Sequence, residues 1–421
     1  LANPNPYFLG TLSTYPTFPV HRATVEAHGK STDRFTPWTR VGNFVGNGPF
    51  TLTEWQLNRR LVVSKSDTYW DADKVALNAV VFHPIENAVS EEKMFRAGQL
   101  HYTTSVPLNK IPAYRDLPDS PYRQEPWQGS YFLQFNVNRP PVNDQRIRMA
   151  LAMAVDREKL VNTVLGGTEL ASSTLVPAAT PDYSSPQVQH YDPERARALL
   201  AEAGYPGGEG WPGLEYLFNT SENHRRIAIA LQQLWKDELN IEITLANQEW
   251  KVFLDTTSEK NYALSRRGWI AGDLNPASFL NIFTSESGTN DTGFSNPRYD
   301  EIMLELAPET PDPEVRRALM QEAEAIVLRS AASIPLYTYN SKHLVQPSVR
   351  GAPSNVLDLL NLKDVSLDPD VPAWKNRREA PRGGEATDAS CGGPPDSNPP
   401  TRCITRAAGI LTGTAFQKKL L

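Results

Sequence analysis

The sequence predicts an α/β protein with two domains. A strand candidate, a helix and a second strand candidate follow one another at 214–218, 224–239 and 241–245, which is the order of a parallel βαβ unit. Earlier, the apolar residues after an Asn-Gly pair at 47–48, together with the run 61–65, are typical of antiparallel strands joined by a turn. Because these are two sheet types in a chain of 421 residues, we expect two domains.

Four helices are indicated by apolar residues at helical spacing, so each presents one stripe to a core. Asp144, Asp192 and Asp312 stand where a helix N-cap is expected, and Gly204 marks the end of the second helix. The predicted helices cover 145–160, 192–203, 224–239 and 313–328.

Short segments rich in β-branched and aromatic residues are predicted as strands. They are Leu61–Lys65, Ala79–His83, Tyr131–Asn136, Leu214–Phe218, Ile241–Leu245 and Ile334–Tyr339, with a further strand expected at 262–266. From Val371 onward the chain is rich in Pro, Gly, Ser, Thr and Arg, which predicts disorder over 371–421.

Composition excludes several classes of protein. The formal charge of -6 comes from acidic and basic residues that are interspersed, so no basic stripe is available for a nucleic acid. No run approaches the roughly 20 apolar residues of a membrane helix, and no signal peptide is visible. The two cysteines, Cys391 and Cys403, leave 1–370 without a thiol, which suits an oxidising compartment.

Catalytic and metal-binding motifs are not apparent. The seven histidines are not grouped at metal-ligand spacing, and no serine stands on a recognisable nucleophile turn. We therefore expect no enzyme activity, no metal and no cofactor, although a peptide hydrolase remains an alternative because Ser, His and Asp are all present.

Two polar loops are the candidate ligand sites, because ligands of α/β sheets lie where strands give way to helices. Loop 219–224 contains His224, and its alternative role is to cap the following helix through Ser221 or Asn223. In loop 266–276, Gly268 allows close approach, Trp269 offers an apolar wall and Asp273 can pair with an ammonium group. The alternative here is a core role for Trp269 and a cap role for Asp273.

Runs of residues distributed along the chain resemble family 5 of the extracellular solute-binding proteins of ABC transporters, in its oligopeptide-binding branch. They include NGPFTLTEW at 47–55, NRPPVNDQRIRMALAMAVDREKLV at 138–161, YDPERARALLAEAGYP at 191–206, NTSENHRRIAIALQQLWKDELNIEITLANQEWKVFLDT at 219–256, RRGWIAGDLNPASFL at 266–280 and IPLYTYN at 334–340. The matches occur in the family's order over most of 1–369.

The resemblance implies a two-lobed, periplasmic-binding-protein-like fold of type II, which closes like a flytrap. It predicts that 1–128 is the remaining part of lobe I, 129–338 is lobe II, 339–370 returns to lobe I, and 371–421 is a tail foreign to the family. It also implies a fragment lacking the N-terminal part of lobe I and the small inserted domain, for which we expect weak or absent peptide binding.

Site residues carry over from the resemblance at single positions. Asp273 would meet the peptide's α-amino group, although in an ungapped alignment the family's Asp falls on Gly272. The relatives carry an arginine at the position of Thr257, so the preferred peptide length is expected to differ. Arg266 and His224 match cationic residues of the relatives near the peptide's carboxylate end, and Tyr131 and Phe132 match aromatic residues of the interlobe strand. The other implied contacts are Trp250, Gly268, Trp269 and Tyr339.

The function implied is the binding of short peptides between two lobes and their delivery to the permease subunits of an ABC transporter. A monomer in the periplasm or another extracytoplasmic compartment is expected. Because fold does not fix cargo, the alternative is the same fold with a dipeptide, nickel complex, opine or oligosaccharide as ligand.

Overall fold

The computed structural model describes residues 8–12, 14–33, 36–374 and 403–408. These residues fall into two compact units, one within Leu1–Thr17 and Pro126–Asn340 and the other within Phe18–Glu125 and Ser341–Leu421. The lobe boundaries expected from the sequence, 1–128, 129–338 and 339–370, stay a prediction; the first unit also takes in an N-terminal piece.

The strands, numbered along the chain, vary from two to fourteen residues. They are β1 (Phe50–Gln56), β2 (Arg60–Lys65), β3 (Ala79–Pro84), β4 (Tyr122–Phe135), β5 (Leu170–Ala171), β6 (Leu214–Asn219), β7 (Ile243–Gln248), β8 (Leu264–Ile270), β9 (Ser333–Leu344), β10 (Val349–Arg350), β11 (Ser366–Leu367) and β12 (Cys403–Ala408).

The α-helices are mostly short, and two of them reach eighteen residues. They are α1 (Phe8–Thr11), α2 (Arg22–Glu26), α3 (Ala88–Arg96), α4 (Ile111–Arg115), α5 (Gln145–Met153), α6 (Arg157–Val164), α7 (Pro193–Glu202), α8 (Glu222–Leu239), α9 (Trp250–Ser258), α10 (Ala277–Leu280), α11 (Pro297–Glu301), α12 (Ala307–Glu309) and α13 (Pro313–Ser330). Within the described residues, no helix is long and apolar enough to cross a membrane.

The first unit is built on a mixed sheet of six strands in the order β5-β9-β4-β8-β6-β7. Strand β6 runs parallel to both β7 and β8, whereas β4 and β8 are antiparallel. The parallel βαβ unit predicted from the sequence is therefore confirmed as β6, α8 and β7. The main core of this unit packs α10, α11 and α13 around large side chains such as Phe279, Phe283 and Tyr299.

Helix α13 also carries a buried carboxylate that positions a distant segment. Asp312 caps the helix by accepting hydrogen bonds from the backbone of its first turn, as predicted. Farther along, Glu324 is fully buried and accepts hydrogen bonds from Leu175 N at 2.9 Å, Val176 N at 3.1 Å and Tyr183 Oη at 2.8 Å. The segment 175–183 is thus fixed to α13 by one side chain.

The predicted helix over 145–160 is wrong in one respect, because the structure contains two helices there. Helix α5 ends at Met153, and Asp156 starts α6 by accepting a hydrogen bond from Lys159 N at 2.9 Å. A capping side chain inside an apolar repeat competes with continuation of the helix. The spacing of apolar residues did not reveal this interruption.

The second unit contains the sheet β1-β2-β3-β12 and two smaller apolar clusters. Strands β1 and β2 form the antiparallel pair predicted from the sequence. The turn between them lies at 57–59, where Asn58 adopts a φ of 57°, and not at the Asn-Gly pair. Strand β12 pairs parallel with β3, so 403–408 is a strand in a tail for which composition predicted disorder. Cys391 and most of that tail lie outside the described residues.

Candidate functional site

The register between β4 and β8 separates the predicted site residues into two sets. Tyr131 lies opposite Gly268, and Phe132 lies opposite Arg267. Because side chains alternate along a strand, Tyr131, Gly268 and Arg266 lie on one face of the sheet. Phe132 and Trp269 lie on the other face.

Tyrosines from β4 and β9 form an aromatic cluster on the first face. The rings of Tyr131 and Tyr337 stack with centroids 4.7 Å apart, and Tyr339 meets both rings edge-on. Trp127 lies 5.8 Å from Tyr339, which extends the cluster along β4. The arrangement provides a broad, flat, apolar surface with hydroxyl groups.

Gly268 makes room for this cluster. A Cβ atom at Gly268 would lie 2.6 Å from Tyr339 Oη, closer than such atoms approach in proteins. The absence of a side chain at this position therefore allows Tyr339 to lie over β8. The sequence analysis expected close approach at Gly268, and here the group that approaches is Tyr339, so contact with a ligand stays a prediction.

Arg266 is the main charged group at the site, and it is only 2% exposed. Its Nε donates a hydrogen bond to Asn219 Oδ1 at 2.7 Å, and Nη2 donates to the same oxygen. Its guanidinium carbon lies 5.5 Å from the ring of Trp250, 5.4 Å from that of Phe253 and 6.0 Å from that of Tyr131. Three aromatic faces thus surround the cation.

No carboxylate within the described residues forms an ion pair with Arg266. Its neighbour Arg267 differs, because it pairs with Asp291 at 3.2 Å and donates to Gln134 Oε1 at 3.0 Å. A buried charge is normally compensated by an opposite charge, since its desolvation is costly. In the part of the chain that the structure describes, Arg266 is compensated only by an amide oxygen and aromatic rings, so its guanidinium is able to pair with an anionic group.

His224 lies in the first turn of α8, beside the aromatic cluster. Its Nδ1 is 3.4 Å from Tyr131 Oη, and its buried Nε2 has no hydrogen-bond partner within the described residues. Burial and, secondarily, the charge of Arg266 hold the pKa of His224 well below its ordinary value. The resemblance implied that His224 lies near the peptide's carboxylate end, and a pKa this low favours the neutral imidazole. It therefore offers a polar group but no second charge.

Three of the predicted contacts have other partners in the structure. Phe132 is 1% exposed and contacts Phe283 in the main core. Trp269 packs against that same core and lies beneath Arg267. Asp273 Oδ1 accepts hydrogen bonds from Ser278 Oγ at 2.6 Å and Asn275 N at 3.2 Å, which is the capping role named as the alternative.

The two polar loops are shorter than expected. Residues 266–270, placed in a loop by the sequence, continue β8, because each of them pairs with a residue of β4. Likewise α8 begins at Glu222, with Ser221 in the cap position but without a capping hydrogen bond from its side chain. The strands therefore carry most of the site, and rigid elements fix its side chains.

Sequence reasoning missed three residues of this arrangement. Tyr337 was included in a predicted strand, but its spacing of two from Tyr339 would have placed both on one face. Asn219, at the end of β6, lies within the predicted polar loop 219–224 but was not named as a contact, and Phe253, on α9, carries no sequence signal for contact with Arg266. Within the described residues, no group of His, Cys, Asp and Glu is suited to hold a metal ion.

Comparisons with known proteins agree with this fold. Residues 1–291 match the family described as bacterial extracellular solute-binding proteins, family 5 Middle. The periplasmic murein peptide-binding protein MppA of Escherichia coli is 36% identical over 84% of this chain and 66% of its own length. The periplasmic oligopeptide-binding protein OppA of the same organism is 34% identical over 83% of this chain and 64% of its own length.

Solved structures of peptide-binding proteins resemble this chain as well. The murein tripeptide binding protein MppA of Escherichia coli superposes with a TM-score of 0.79 at 33% identity, covering 87% of this chain and 72% of that one. OppA of Haemophilus influenzae, solved in complex with RPPGFSPFR, superposes with a TM-score of 0.78 at 27% identity, covering 87% of this chain and 72% of that one. The predicted α/β solute-binding-protein fold is confirmed by these likenesses.

The chain spans just under two thirds of the length of the curated relatives, at 66% for MppA and 64% for OppA. The family match nevertheless covers residues 1–291, which is more than half of the chain. With its mixed α/β sheet and the structural likenesses, this match leads to one conclusion: the chain belongs to family 5 of the bacterial extracellular solute-binding proteins.

Proposed function

We propose that this chain binds short peptides and delivers them to an ABC transporter. The observation that carries the proposal is Arg266, a buried cation without a carboxylate partner among the described residues, in a chain related to peptide-binding proteins. A peptide carboxylate supplies the missing opposite charge and restores hydrogen bonds to the guanidinium.

The cluster around Arg266 favours a peptide over a small inorganic anion. Tyr131, Tyr337 and Tyr339 present apolar rings with hydroxyl groups, to which an extended main chain can both pack and hydrogen-bond. The buried Nε2 of His224 and Oη of Tyr339, which lack partners among the described residues, are available to main-chain groups. Because these contacts are made to the main chain of the peptide, peptides with different side chains should bind.

Asp273 is proposed to meet the ligand's ammonium group. Its Oδ1 holds the cap of the following turn, whereas no hydrogen bond to Oδ2 is found among the described residues. One carboxylate can therefore hold the turn and accept an ammonium group at its second oxygen. Trp269 and Phe132 are proposed to act indirectly, by fixing β4 and β8 from the opposite face.

The proposal includes a location, partners and a chemical role. Relatives named as periplasmic peptide-binding proteins support action outside the cytoplasm. The proposed partners are a short peptide and the permease subunits, with the chain acting as a monomer and not as an enzyme. Recovery of intact peptide after prolonged incubation tests the last point, because a hydrolase would leave fragments.

Another carboxylate-bearing solute is the competing cargo. A relative named as a probable deoxycholate-binding periplasmic protein of Escherichia coli is 34% identical over 84% of this chain. A bile acid, like a peptide, combines an apolar body with an acidic group. Deoxycholate is therefore included as a competitor in the binding experiment.

The test is isothermal titration with matched peptides of three to five residues, carrying either a free or an amidated C-terminus. We expect the free acid to bind at least about tenfold more tightly, because amidation removes the charge that pairs with Arg266. Equal binding of acid and amide would contradict the carboxylate role. Binding of deoxycholate with no binding of any peptide would assign the cargo to the competing class.

A further inference from the structure

A cavity lies in the first unit, away from the aromatic cluster. It has a volume of about 380 Å³ and is lined by α6, by β5 with the residues that follow it, and by the segment 187–191. Arg157, Gln189 and Thr338 are among its lining residues. Thr338 alternates along β9 with Tyr337 and Tyr339, so its side chain lies on the opposite face of the strand from theirs. The cavity is therefore separate from the peptide site proposed above.

Arg157 supplies a buried cation to this cavity. It is 6% exposed, its Nε donates to Pro335 O at 2.6 Å, and its Nη1 donates to Val155 O at 3.3 Å. Its Nη2 is buried and has no hydrogen-bond partner within the described residues. Burial lowers the pKa of Arg157 to about 10, so the side chain remains charged at neutral pH.

The acidic residues on either side of Arg157 do not neutralise its charge. Asp156 uses its carboxylate to cap α6 through Lys159 N, and Glu158 is exposed on the first turn of that helix. No ion pair joins Arg157 to a carboxylate in the part of the chain that the structure describes. Among the described residues, carbonyl oxygens orient the guanidinium through Nε and Nη1, which leaves the N–H bonds of Nη2 for a ligand.

Gln189 supplies an acceptor to the same cavity. Its side chain is fully buried, and its Nε2 donates to Leu328 O at 2.8 Å and Ser333 O at 2.9 Å. Those two bonds fix the orientation of the amide, so Oε1 is the oxygen that faces away from them. Oε1 has no hydrogen-bond partner within the described residues. Both unsatisfied groups thus belong to residues that line one space.

We propose that this cavity is a second ligand site, for a small oxyanion that retains a proton at neutral pH, namely hydrogen phosphate. The anionic oxygen accepts from Arg157 Nη2, and the protonated oxygen donates to Gln189 Oε1. Sulfate, which carries no proton at neutral pH, satisfies only the first contact. The site therefore prefers phosphate to sulfate, and it is independent of the peptide site.

The probe is inorganic phosphate, titrated into the purified protein by calorimetry and compared with sulfate at equal ionic strength. Arg157 also holds Pro335, so its removal endangers folding, and Ala178→Glu is the better variant. Ala178 lines the cavity and is exposed, so a glutamate there adds an opposing charge without disturbing the core. Ala201→Glu, on the exposed side of α7, adds the same charge outside the cavity as a matched control.

We expect phosphate to bind more tightly than sulfate, and Ala178→Glu to weaken phosphate binding at least about tenfold, since the new carboxylate repels the anion or pairs with Arg157. Ala201→Glu should bind phosphate as the unmodified protein does. Phosphate that does not bind at all, that binds no better than sulfate, or that binds equally to Ala178→Glu would overturn the proposal.

Discussion

Replacing Arg266 with methionine separates the proposed ligand role from the fold. The substitution keeps an unbranched apolar chain between Trp250 and Phe253 and removes a charge that the described residues do not neutralise. A charged hydrogen-bonded pair in a desolvated site typically contributes about 2 to 5 kcal/mol when one partner is truncated. We take about 3 kcal/mol, so peptide affinity should fall roughly 150-fold.

The free energy of unfolding should change much less than the peptide affinity in the Arg266→Met variant. Loss of Arg266 leaves Asn219 Oδ1 without its donors, at a cost of about 1 to 3 kcal/mol, but it also removes an uncompensated buried charge. The two effects oppose each other, so the free energy of unfolding should change by less than about 1.5 kcal/mol.

The matched variant is Arg267→Met, one residue along the same strand. It breaks the ion pair with Asp291, and the carboxylate of Asp291, left without its partner, should lower the free energy of unfolding by about 3 to 5 kcal/mol. Peptide affinity, measured at a temperature where the variant is folded, should stay within about threefold. Calorimetric titration and urea denaturation of both variants give the comparison. If Arg266→Met retains full affinity, or loses as much stability as Arg267→Met, the assignment of Arg266 as a ligand receptor is wrong.

Three further predictions concern other groups. Asp273→Asn keeps an oxygen for the cap but loses the negative charge. Peptides with a free amino group should therefore bind about tenfold more weakly, whereas the affinity for N-acetylated peptides should not change. Equal effects on both kinds of peptide would show that Asp273 does not contact the ammonium group. Gly268→Ala forces Tyr339 out of its position, so peptide affinity should fall and unfolding should become easier by about 1 to 3 kcal/mol, as titration and denaturation would reveal. Burial lowers the pKa of His101 from 6.5 to about 4, so only the unfolded chain gains a proton in that interval. Stability should therefore decline as pH drops from 6.5 to 4, by at most about 3 kcal/mol, and His101→Gln should reduce this decline in denaturation curves.

The fold was predictable to the extent that local signals agreed with each other. Asp192 and Asp312 cap helices as expected, because an aspartate before a proline leaves few other conformations for the first turn. The pairing of β6 with β7 followed from a strand, helix and strand of ordinary length. Asp156 was missed, because a capping residue inside an apolar repeat has no distinct pattern.

The candidate site was less predictable, because its geometry depends on pairing between distant strands. Residues 266–270 contain a glycine and two arginines, which suggested a loop, yet the ladder with β4 makes them a strand. Once that register is known, alternation puts Arg266 among aromatic rings and Arg267 beside Asp291. The sequence could supply the identity of the two arginines but not the face on which each lies.

Glu324 gives two loop amides an unusual protection against exchange with solvent. Leu175 N and Val176 N lie outside any helix or strand, yet both are bonded to a carboxylate on α13 that is 0% exposed. Their hydrogens can exchange only when that contact opens, which requires α13 to move or unfold. In a deuterium-exchange experiment these two amides should therefore exchange with the slow kinetics of the helix interior, and report on its opening from a distance of about 150 residues along the chain.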